Sequence, residues 1–442
     1  MNSILAVDVG TQSLKASVVD RNLTVLESAR ISYVPQVKSK NRVEIGAEVL
    51  WDAFVKAFAQ LKQGPEVGAL SFSTLCPSLL AMDSDGTPLA PIILHLDRRS
   101  YRQAVWALSR VREERFLRIT GNLPIPGGIS VTSLLWIKEN RPDIYGRKGM
   151  VFGHAVTFFL KRLTGRFVID PSNASFTGLY DTVGYGDWDS GLLDDLEIPR
   201  EKLPQVVMST SVVGKLNKQI ADPTSLPEGI PVVIGANDTT CAAVGAGVTE
   251  PGGLMNTSGT VEIMVLCLDR PLVDRNHLLR THAYPNRWLA MRTVGAGGAS
   301  LEWFRNAFCR EMARESFYDE YLPGLLDTSK GSEVRFHPFL SGDRHRIRQR
   351  SGSLTRLTLN TTREDCLLAL ADGIVSFQAK GLKEWREKVP LSGNIYHVGG
   401  GASEAYTRFK QKFLRDFEFV QTGETAVIGA AKLGFEAVAQ ER

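Results

Sequence analysis

The feature that most constrains the fold is a pattern that occurs twice: a strand, a Gly-Thr turn and a second strand. The first copy covers residues 4–19 with its turn at Gly10-Thr11, and the second covers residues 253–266 with its turn at Gly259-Thr260. Aligning the two Gly-Thr pairs superposes the apolar residues on both sides of the turn. Two hairpins can look alike by chance, but each of these begins a half of similar length. The sequence therefore predicts two related halves, each starting with a β-hairpin.

Between the hairpins, helical and strand patterns alternate. Residues 49–61 have apolar side chains at helical spacing, residues 67–72 have a short strand pattern, and residues 99–119 predict one charged amphipathic helix. Such alternation is typical of an α/β protein. A Pro- and Gly-rich segment, residues 225–231, precedes an apolar strand pattern. We therefore predict two domains, residues 1–228 and 229–442, that meet at this segment.

Composition argues against several classes of partner. The 442 residues carry 52 Lys and Arg against 48 Asp and Glu, and the densest basic stretch is a single segment, residues 343–350. A nucleic-acid-binding protein usually concentrates its basic charge in a patch or stripe. A spanning helix needs about 18 apolar residues in succession, and no stretch of the sequence has them. We therefore expect no nucleic-acid partner and no membrane partner.

The cysteines and the first residues bear on the compartment. The five cysteines are widely spaced and include no C-x-x-C pair, which argues against a disulfide framework or a zinc site. The first residues have no basic segment and predict a strand rather than a signal peptide. We expect a cytoplasmic protein, and the assembly that we consider is a homodimer.

Four Gly-rich turns have the composition of phosphate-binding loops: residues 8–13, 257–260, 295–300 and 398–403. Small residues let backbone N–H groups approach an anion closely. The last two turns each precede an amphipathic helix pattern, at residues 301–308 and 405–417. Neither a P-loop motif nor a G-x-G-x-x-G after the first strand is present, so P-loop NTPases and Rossmann dehydrogenases are disfavoured.

Two acidic residues stand at strand ends beside these turns. Asp8 ends the first strand pattern, and Asp238 ends the pattern at residues 231–238, just before a helix of small residues. In such a position Asp238 can cap the helix. Beside phosphate-binding turns, one acid can instead accept the proton of an attacking hydroxyl while a second holds Mg²⁺. The sequence leaves both roles open for Asp238.

Five motifs together resemble the FGGY carbohydrate kinases of the actin/hexokinase-like ATPase superfamily. They are Asp8-x-Gly-Thr-Gln-x-x-x-Lys15, Asn256-Thr-Ser-Gly-Thr260, residues 235–247, Gly399-Gly-Gly-Ala402 and residues 336–343. The resemblance covers nearly the whole chain, and residues 119–127 and 161–165 are closest in pattern to xylulokinases. It implies an α/β fold of two actin-like (ribonuclease H-like) lobes with a ligand cleft between them. The lobe of residues 1–228 would bind sugar and phosphate, and the lobe of residues 229–442 would carry the catalytic Asp and bind the adenine nucleotide.

The resemblance also implies roles for individual residues, with ATP and Mg²⁺ as cofactors. Asp238 would be the base on the sugar hydroxyl, and Asp8 would lie near Mg²⁺ and the transferred phosphate. The residues expected to contact the phosphates are Thr11, Gln12, Lys15, Gly259 and Thr260. Those expected to frame the nucleotide are Gly298, Glu302, Gly400 and Gly401. Those expected to contact the sugar are Cys76, Pro77, Asp238 and Thr239.

The resemblance leaves the substrate open. It implies ATP-dependent phosphorylation of a hydroxyl of a small sugar, with a ketopentose such as xylulose as the expected substrate. Xylulokinases typically carry Met-His, and glycerol kinases Arg-Glu, where this chain has Cys76-Pro77, and proline has neither a side-chain donor nor a backbone N–H. The alternatives are a kinase for another ketose or polyol (ribulose, glycerol), a non-catalytic actin-like ATP-binding protein, and a kinase-like protein that has lost its substrate contact.

Overall fold

The first half of the chain is built around a mixed six-stranded sheet. A computed structural model describes residues 2–39, 41–62, 66–217, 220, 226–328 and 331–441. In the order β12-β13-β6-β1-β2-β3, the strands of this sheet are Val212–Lys215, Pro231–Asn237, Leu70–Thr74, Ser3–Val9, Ser13–Asp20 and Val25–Ser32. Strand β1 is buried along nearly its whole length, as expected for an apolar run at the centre of a sheet that is covered on both faces.

The second half is built around a separate six-stranded sheet. In the order β16-β17-β15-β14-β20-β21, its strands are Leu278–Thr281, Trp288–Val294, Glu262–Leu268, Leu254–Ser258, Asn394–Val398 and Glu418–Gln421. The two predicted hairpins occupy equivalent places. β1 pairs antiparallel with β2 and parallel with β6, and β14 pairs antiparallel with β15 and parallel with β20. The predicted α/β fold with two related lobes is confirmed.

Shorter strands complete the two lobes. A five-stranded sheet in the order β4-β5-β8-β7-β9 contains Gln36–Ser39, Arg42–Ile45, Ile92–Leu94, Ser78–Met82 and Val151–Gly153. Two-stranded pairs join β10 to β11 and β18 to β19, with bounds Val168–Ile169, Gln205–Val206, Arg335–His337 and Ser353–Thr355.

Helices pack around the sheets. Up to the end of β13 they are Ala47–Phe58, Tyr101–Arg110, Glu113–Thr120, Ser130–Asn140, Pro142–Tyr145, Ala155–Thr164, Pro171–Ala174 and Ser190–Asp195, with a 3₁₀ turn at Arg200–Lys202. After β13 they are Asp238–Gly245, Gly298–Phe308, Arg314–Ser316, Leu322–Thr328, Arg363–Arg386, Glu404–Phe413 and Thr425–Gln440, with a π-helical turn at Phe317–Tyr321. No helix in the part of the chain that the structure describes is long and apolar enough to cross a membrane.

One predicted helix is divided in two. The sequence predicts a single helix over residues 99–119, but the structure has Tyr101–Arg110 and Glu113–Thr120. The break falls at Val111, which has an extended backbone and is fully buried. Packing of this β-branched side chain into the core outweighs the helical pattern on either side of it.

The predicted domain boundary at residues 228/229 does not coincide with the boundary between the two six-stranded sheets. Strand β13 pairs in parallel with β6 and so belongs to the first sheet. The helix Asp238–Gly245 packs against the C-terminal helix Thr425–Gln440 so closely that a Cβ at Gly429 would lie 1.8 Å from the carbonyl oxygen of Cys241. The division into two domains stays a prediction, and sheet membership favours a boundary after Asn237, where β13 ends. Residue 225, the first of the predicted linker, lies outside the described residues.

Candidate functional site

The two predicted carboxylates lie at the same edge of the first sheet. Strands β1 and β13 both run parallel to β6, so their carboxyl ends meet at one edge, where α/β proteins commonly bind ligands. Asp8 is near the end of β1, and Asp238 directly follows β13. Ser73 of the intervening strand β6 lies opposite Asp8 and Ala236 in register, and its hydroxyl donates a hydrogen bond of 2.6 Å to Oδ1 of Asp8.

Burial perturbs both carboxyl groups, and the negative charge of Asp8 also acts on Asp238. Burial raises the pKa of Asp8, while the hydroxyl of Ser73 and the charge of Lys15 act in the opposite direction. Burial, and then the negative charge of Asp8, raise the pKa of Asp238 to about 7. A carboxyl group that titrates near neutral pH suits proton transfer, because a general base works best when its pKa is close to the working pH.

The helix after Asp238 is capped by the preceding residue. Oδ1 of Asn237 accepts a hydrogen bond of 3.0 Å from the backbone N–H of Thr240. Oδ1 of Asp238 instead accepts the backbone N–H of Thr239 at 2.6 Å and its hydroxyl at 3.2 Å. The interpretation that Asp238 is the N-cap is therefore wrong, and Thr239 is a direct neighbour of the carboxylate.

The first Gly-rich turn is held rigidly by its backbone. The N–H of Gly10 donates to the carbonyl of Ser13 at 2.9 Å, and the hydroxyl of Tyr33 donates to the carbonyl of Gly10 at 2.6 Å. The side chain of Gln12 is exposed, and that of Thr11 is half-buried at the tip of the turn. The ammonium of Lys15 forms an ion pair with Glu424, next to the start of the C-terminal helix.

The other three Gly-rich turns are joined by hydrogen bonds in the second lobe. The N–H of Gly298 donates to the carbonyl of Gly259 at 2.9 Å, and the N–H of Gly401 donates to the carbonyl of Ser258 at 2.9 Å. A Cβ at Gly298 would lie 2.6 Å from the carbonyl oxygen of Gly259, so only glycine fits this contact. A Cβ at Gly400 would meet no atom within 4 Å. The turns that carry Gly259, Thr260, Gly298, Gly400 and Gly401 therefore form one continuous surface.

A buried charge network that the sequence did not reveal supports this surface. The ammonium of Lys410 is 2.5 Å from Glu262 and 2.6 Å from the hydroxyl of Ser258, and it also donates to Asn256. Burial lowers the pKa of Lys410, and Glu262 acts against that change. The alternation of Asn256 and Ser258 on a buried strand was a signal of polar contacts, but their partner lies about 150 residues away.

The carboxylate of Glu302 forms hydrogen bonds with side chains of its own lobe. Its carboxylate accepts hydrogen bonds of 2.8 Å from Arg305 and 2.9 Å from the hydroxyl of Tyr318. The predicted contact of Glu302 with the nucleotide stays a prediction.

The loop that carries Cys76 and Pro77 lies on the first-lobe side of Asp238. The thiol of Cys76 is 3.3 Å from Nδ1 of His154, whose Nε2 is 2.8 Å from the hydroxyl of Ser130. Burial, and then the negative charge of Asp238, raise the pKa of Cys76 well above its usual value. Burial lowers the pKa of His154 to about 4, so this ring is neutral at pH 7.

Two further features of this region were missed from the sequence. Asp170 caps the short helix Pro171–Ala174 and accepts a hydrogen bond from the hydroxyl of Ser172, which in turn accepts the backbone N–H of Asn237 at 2.9 Å. Asp170 thus positions the backbone just before Asp238. An Asp followed by Pro is an N-cap signal that could have identified this helix start.

The second missed feature is Arg280 of β16, which reaches from the second sheet to the first lobe. Its guanidinium lies 3.8 Å from the centre of the Phe176 ring, and Nη1 donates to the carbonyl of Leu279 at 2.9 Å. The residue is fully buried, and burial lowers its pKa to about 9. Its atoms Nε and Nη2 have no hydrogen-bond partner among the described residues. No local sequence pattern indicated this placement.

A cavity of about 580 Å³ lies apart from these residues, in the second lobe, between β18 and the helix Arg363–Arg386. Neither Asp8 nor Asp238 lines it. Within the described ranges, no three His, Cys, Asp or Glu side chains cluster in a way that could hold a metal ion.

Comparison with known proteins assigns the family. Residues 3–245, more than half of the chain, match the N-terminal domain of the FGGY family of carbohydrate kinases. A xylulose kinase of Lactococcus lactis is 28% identical over 417 residues, covering 91% of this chain and 81% of that protein. A gluconokinase of Bacillus subtilis is 28% identical over 385 residues, covering 84% and 74%. The crystal structure of ligand-bound xylulose kinase from Lactobacillus acidophilus superposes with a TM-score of 0.89 at 21% identity, covering 100% of this chain and 90% of that one. The chain therefore belongs to the FGGY family of carbohydrate kinases.

Proposed function

We propose that the chain transfers the γ-phosphoryl group of ATP to a hydroxyl of a small sugar, with Asp238 as the general base. The observation that carries the proposal is the pair of carboxyl groups at one sheet edge, one of which has a pKa of about 7. A sugar hydroxyl is a weak nucleophile, and a carboxylate at hydrogen-bond distance orients it and accepts its proton. Oδ1 of Asp238 is already held by Thr239, so Oδ2 is the oxygen that we assign to the substrate.

The Gly-rich turns are the proposed binding sites for ATP. Gly259 and Thr260 would hold the phosphates from the second lobe, and Thr11, Gln12 and Lys15 would hold them from the first. Gly298, Gly400 and Gly401, with Glu302, would frame the rest of the nucleotide. Phosphoryl transfer depends mainly on positioning and on neutralising phosphate charge, and turns of backbone N–H groups beside a lysine meet both needs.

Asp8 is the residue that we propose to hold Mg²⁺. This ion usually binds through one or two carboxylates together with substrate phosphates, rather than through a cage of protein ligands. A single half-buried carboxylate beside a phosphate turn fits that chemistry. When bound, Mg²⁺ would neutralise charge on the phosphates.

The first candidate for the sugar is a ketopentose such as xylulose, because several of the similar proteins are named xylulose kinase. Cys76, Pro77 and Thr239 are the proposed sugar contacts, since Thr239 donates a hydrogen bond to Asp238 and the charge of Asp238 raises the pKa of Cys76. Another ketose or a polyol, such as ribulose or glycerol, is the alternative within the same reaction. A non-catalytic ATP-binding protein is disfavoured, because it has no use for a base next to the sugar loop.

We propose a cytoplasmic location, which the five free cysteines support. A homodimer stays a prediction.

The decisive experiment measures ATP consumption against a panel of pentuloses, hexuloses, aldonates and polyols, with wild type and Asp238→Asn. We expect turnover of at least one compound, and a kcat about 10²- to 10⁴-fold lower in the variant with little change in ATP binding. Asp52→Asn, on an exposed face of the helix Ala47–Phe58, is the matched control and should behave like wild type. Near-wild-type turnover in Asp238→Asn would refute the assignment of the base.

A further inference from the structure

Arg280 is a buried arginine without a carboxylate partner. Two other buried arginines are paired with acids: Arg99 with Asp97 and Glu44, and Arg292 with Glu384. Arg280 is fully buried, yet no Asp or Glu of the described residues forms an ion pair with it. Removing one partner from a buried ion pair is strongly destabilising. An unpaired guanidinium at this depth therefore indicates that its counter-charge comes from outside the chain.

The free part of this guanidinium is the edge that recognises oxyanions. Nη1 donates to the carbonyl of Leu279, and one face of the guanidinium lies on the ring of Phe176. Nε and Nη2, which share the side-on edge, are both buried and unpartnered. Two parallel N–H groups on one edge match the two oxygens of a carboxylate or phosphate. The structure thus fixes the guanidinium and leaves its bidentate edge unused.

The position of Arg280 assigns this edge to the sugar rather than to ATP. The charge of Asp238 raises the pKa of the Cys76 thiol and the charge of Arg280 lowers it, so both charges lie near this thiol. Nη1 also approaches the carbonyl of Ser175 at 3.5 Å, which belongs to the first lobe. Arg280 therefore lies on the sugar-loop side of the proposed base.

Arg344 provides a contrast. It has the same unpartnered Nε and Nη2, but Nε lies beside Gly295, where the third Gly-rich turn begins. There, phosphates bound at the turn can supply its counter-charge. The described contacts of Arg280 are with Leu279, Ser175 and Phe176, which belong to none of the four Gly-rich turns.

We infer that the sugar substrate carries an anionic group, which Arg280 binds side-on while a hydroxyl of the same molecule faces Asp238. The inference rests on the proposed function and changes the preferred substrate from a neutral ketose to an acidic sugar. The chemistry that fits is a short polyhydroxylated chain ending in a carboxylate, that is, an aldonate. A sugar phosphate offers similar oxygens to the same edge. A neutral ketose would leave the buried guanidinium unpaired in the complex.

The test on wild type compares acids with neutral sugars of the same chain length. Xylonate is paired with xylulose and gluconate with fructose, and a pentose phosphate forms a separate arm that distinguishes phosphate from carboxylate. We expect kcat/KM for the best anionic compound to exceed that of its neutral partner by about 30-fold or more, the effect of completing a buried charge pair. Preference for the neutral sugars would overturn this inference and leave the kinase proposal intact, whereas no turnover of any compound would overturn both.

Variants of Arg280 separate recognition from a structural role. Arg280→Gln should raise KM for the anionic substrate by about 30-fold or more, with KM for ATP and for the neutral partner near wild type. Arg280→Lys keeps the charge but lacks the two parallel N–H donors of the guanidinium. Its KM for the anionic substrate should lie between the values for wild type and Arg280→Gln. Arg344→Gln is the matched control and should leave the preference for acids over neutral sugars unchanged.

An equal loss of kcat/KM on acidic and neutral compounds in Arg280→Gln and Arg280→Lys would show that Arg280 only joins the lobes. If Arg280→Gln does not fold, the comparison of acids with neutral sugars on wild type and on Arg280→Lys still tests whether Arg280 binds the anionic group.

Discussion

Replacing Asp238 by Asn is expected to stabilise the protein at neutral pH while removing its activity. Burial and the charge of Asp8 raise the pKa of Asp238 from 3.8 to about 7. Because the folded-state pKa is the higher one, the folded protein holds a proton that the unfolded chain has released between these values. The free energy of unfolding therefore falls as the pH rises from about 4 to about 7. The difference of about three pKa units corresponds to about 4 kcal/mol.

The assay is urea unfolding of wild type and Asp238→Asn without ATP or sugar, at several pH values from about 4 to about 8. The variant should match wild type near pH 4 and exceed it by about 4 kcal/mol near pH 8. The amide oxygen of Asn can still accept the N–H of Thr239, so the shape of the turn is kept. Asp52→Asn should show a difference that does not change with pH. Parallel stability curves for wild type and Asp238→Asn would refute the argument that this carboxylate is buried and repelled by Asp8.

Three other side chains around the proposed cleft give separate predictions. Lys410→Met should lower the free energy of unfolding by about 3–5 kcal/mol, because it leaves the buried Glu262 unpaired; a loss below about 1 kcal/mol in urea unfolding would contradict this. Pro77→His should change the ranking of sugars in the ATP-consumption assay and leave ATP affinity near wild type. Altered ATP affinity with an unchanged ranking would argue against a sugar-side loop. Glu424→Gln should tighten ATP binding a few-fold, as measured by equilibrium titration.

The parts of the fold that the sequence predicted depend on local patterns. Each hairpin is a contiguous run with a Gly-Thr turn, so its two strands could be paired without knowing the rest of the chain. Asp238 was recognised because a strand pattern ends directly before a helix of small residues. The same local information could not distinguish a cap from a base. Oδ1 of Asn237 takes the capping bond to Thr240 and so excludes the cap, and the role of Asp238 as a base stays a prediction.

The parts that the sequence did not predict depend on contacts between distant segments. Strand β13 joins the first sheet because it pairs with β6, about 160 residues earlier, and a linker-like composition before β13 cannot indicate that pairing. Arg280 and Lys410 act on residues about 100–200 positions away. A single arginine or lysine in a strand or helix is ordinarily a solvent-exposed residue. Only tertiary structure shows that these two are buried.

The prediction for Glu424→Gln follows from the position of Lys15. In the structure the ammonium of Lys15 pairs with Glu424, and the two side chains are 23% and 51% exposed. A pair this exposed contributes at most about 1 kcal/mol, so phosphates can displace Glu424, but the displacement reduces affinity. Gln removes the competing charge, and the dissociation constant for ATP should fall by up to about fivefold, more at low salt than at high salt.

A double-mutant cycle tests whether Lys15 mediates this effect. In a Lys15→Met background, Glu424→Gln should no longer tighten ATP binding, because no lysine remains to be released. An equal gain with and without Lys15 would mean that Glu424 repels the phosphates directly. In that case the ion pair would have no part in nucleotide binding, and the proposed contact of Lys15 with the phosphates would lose its support.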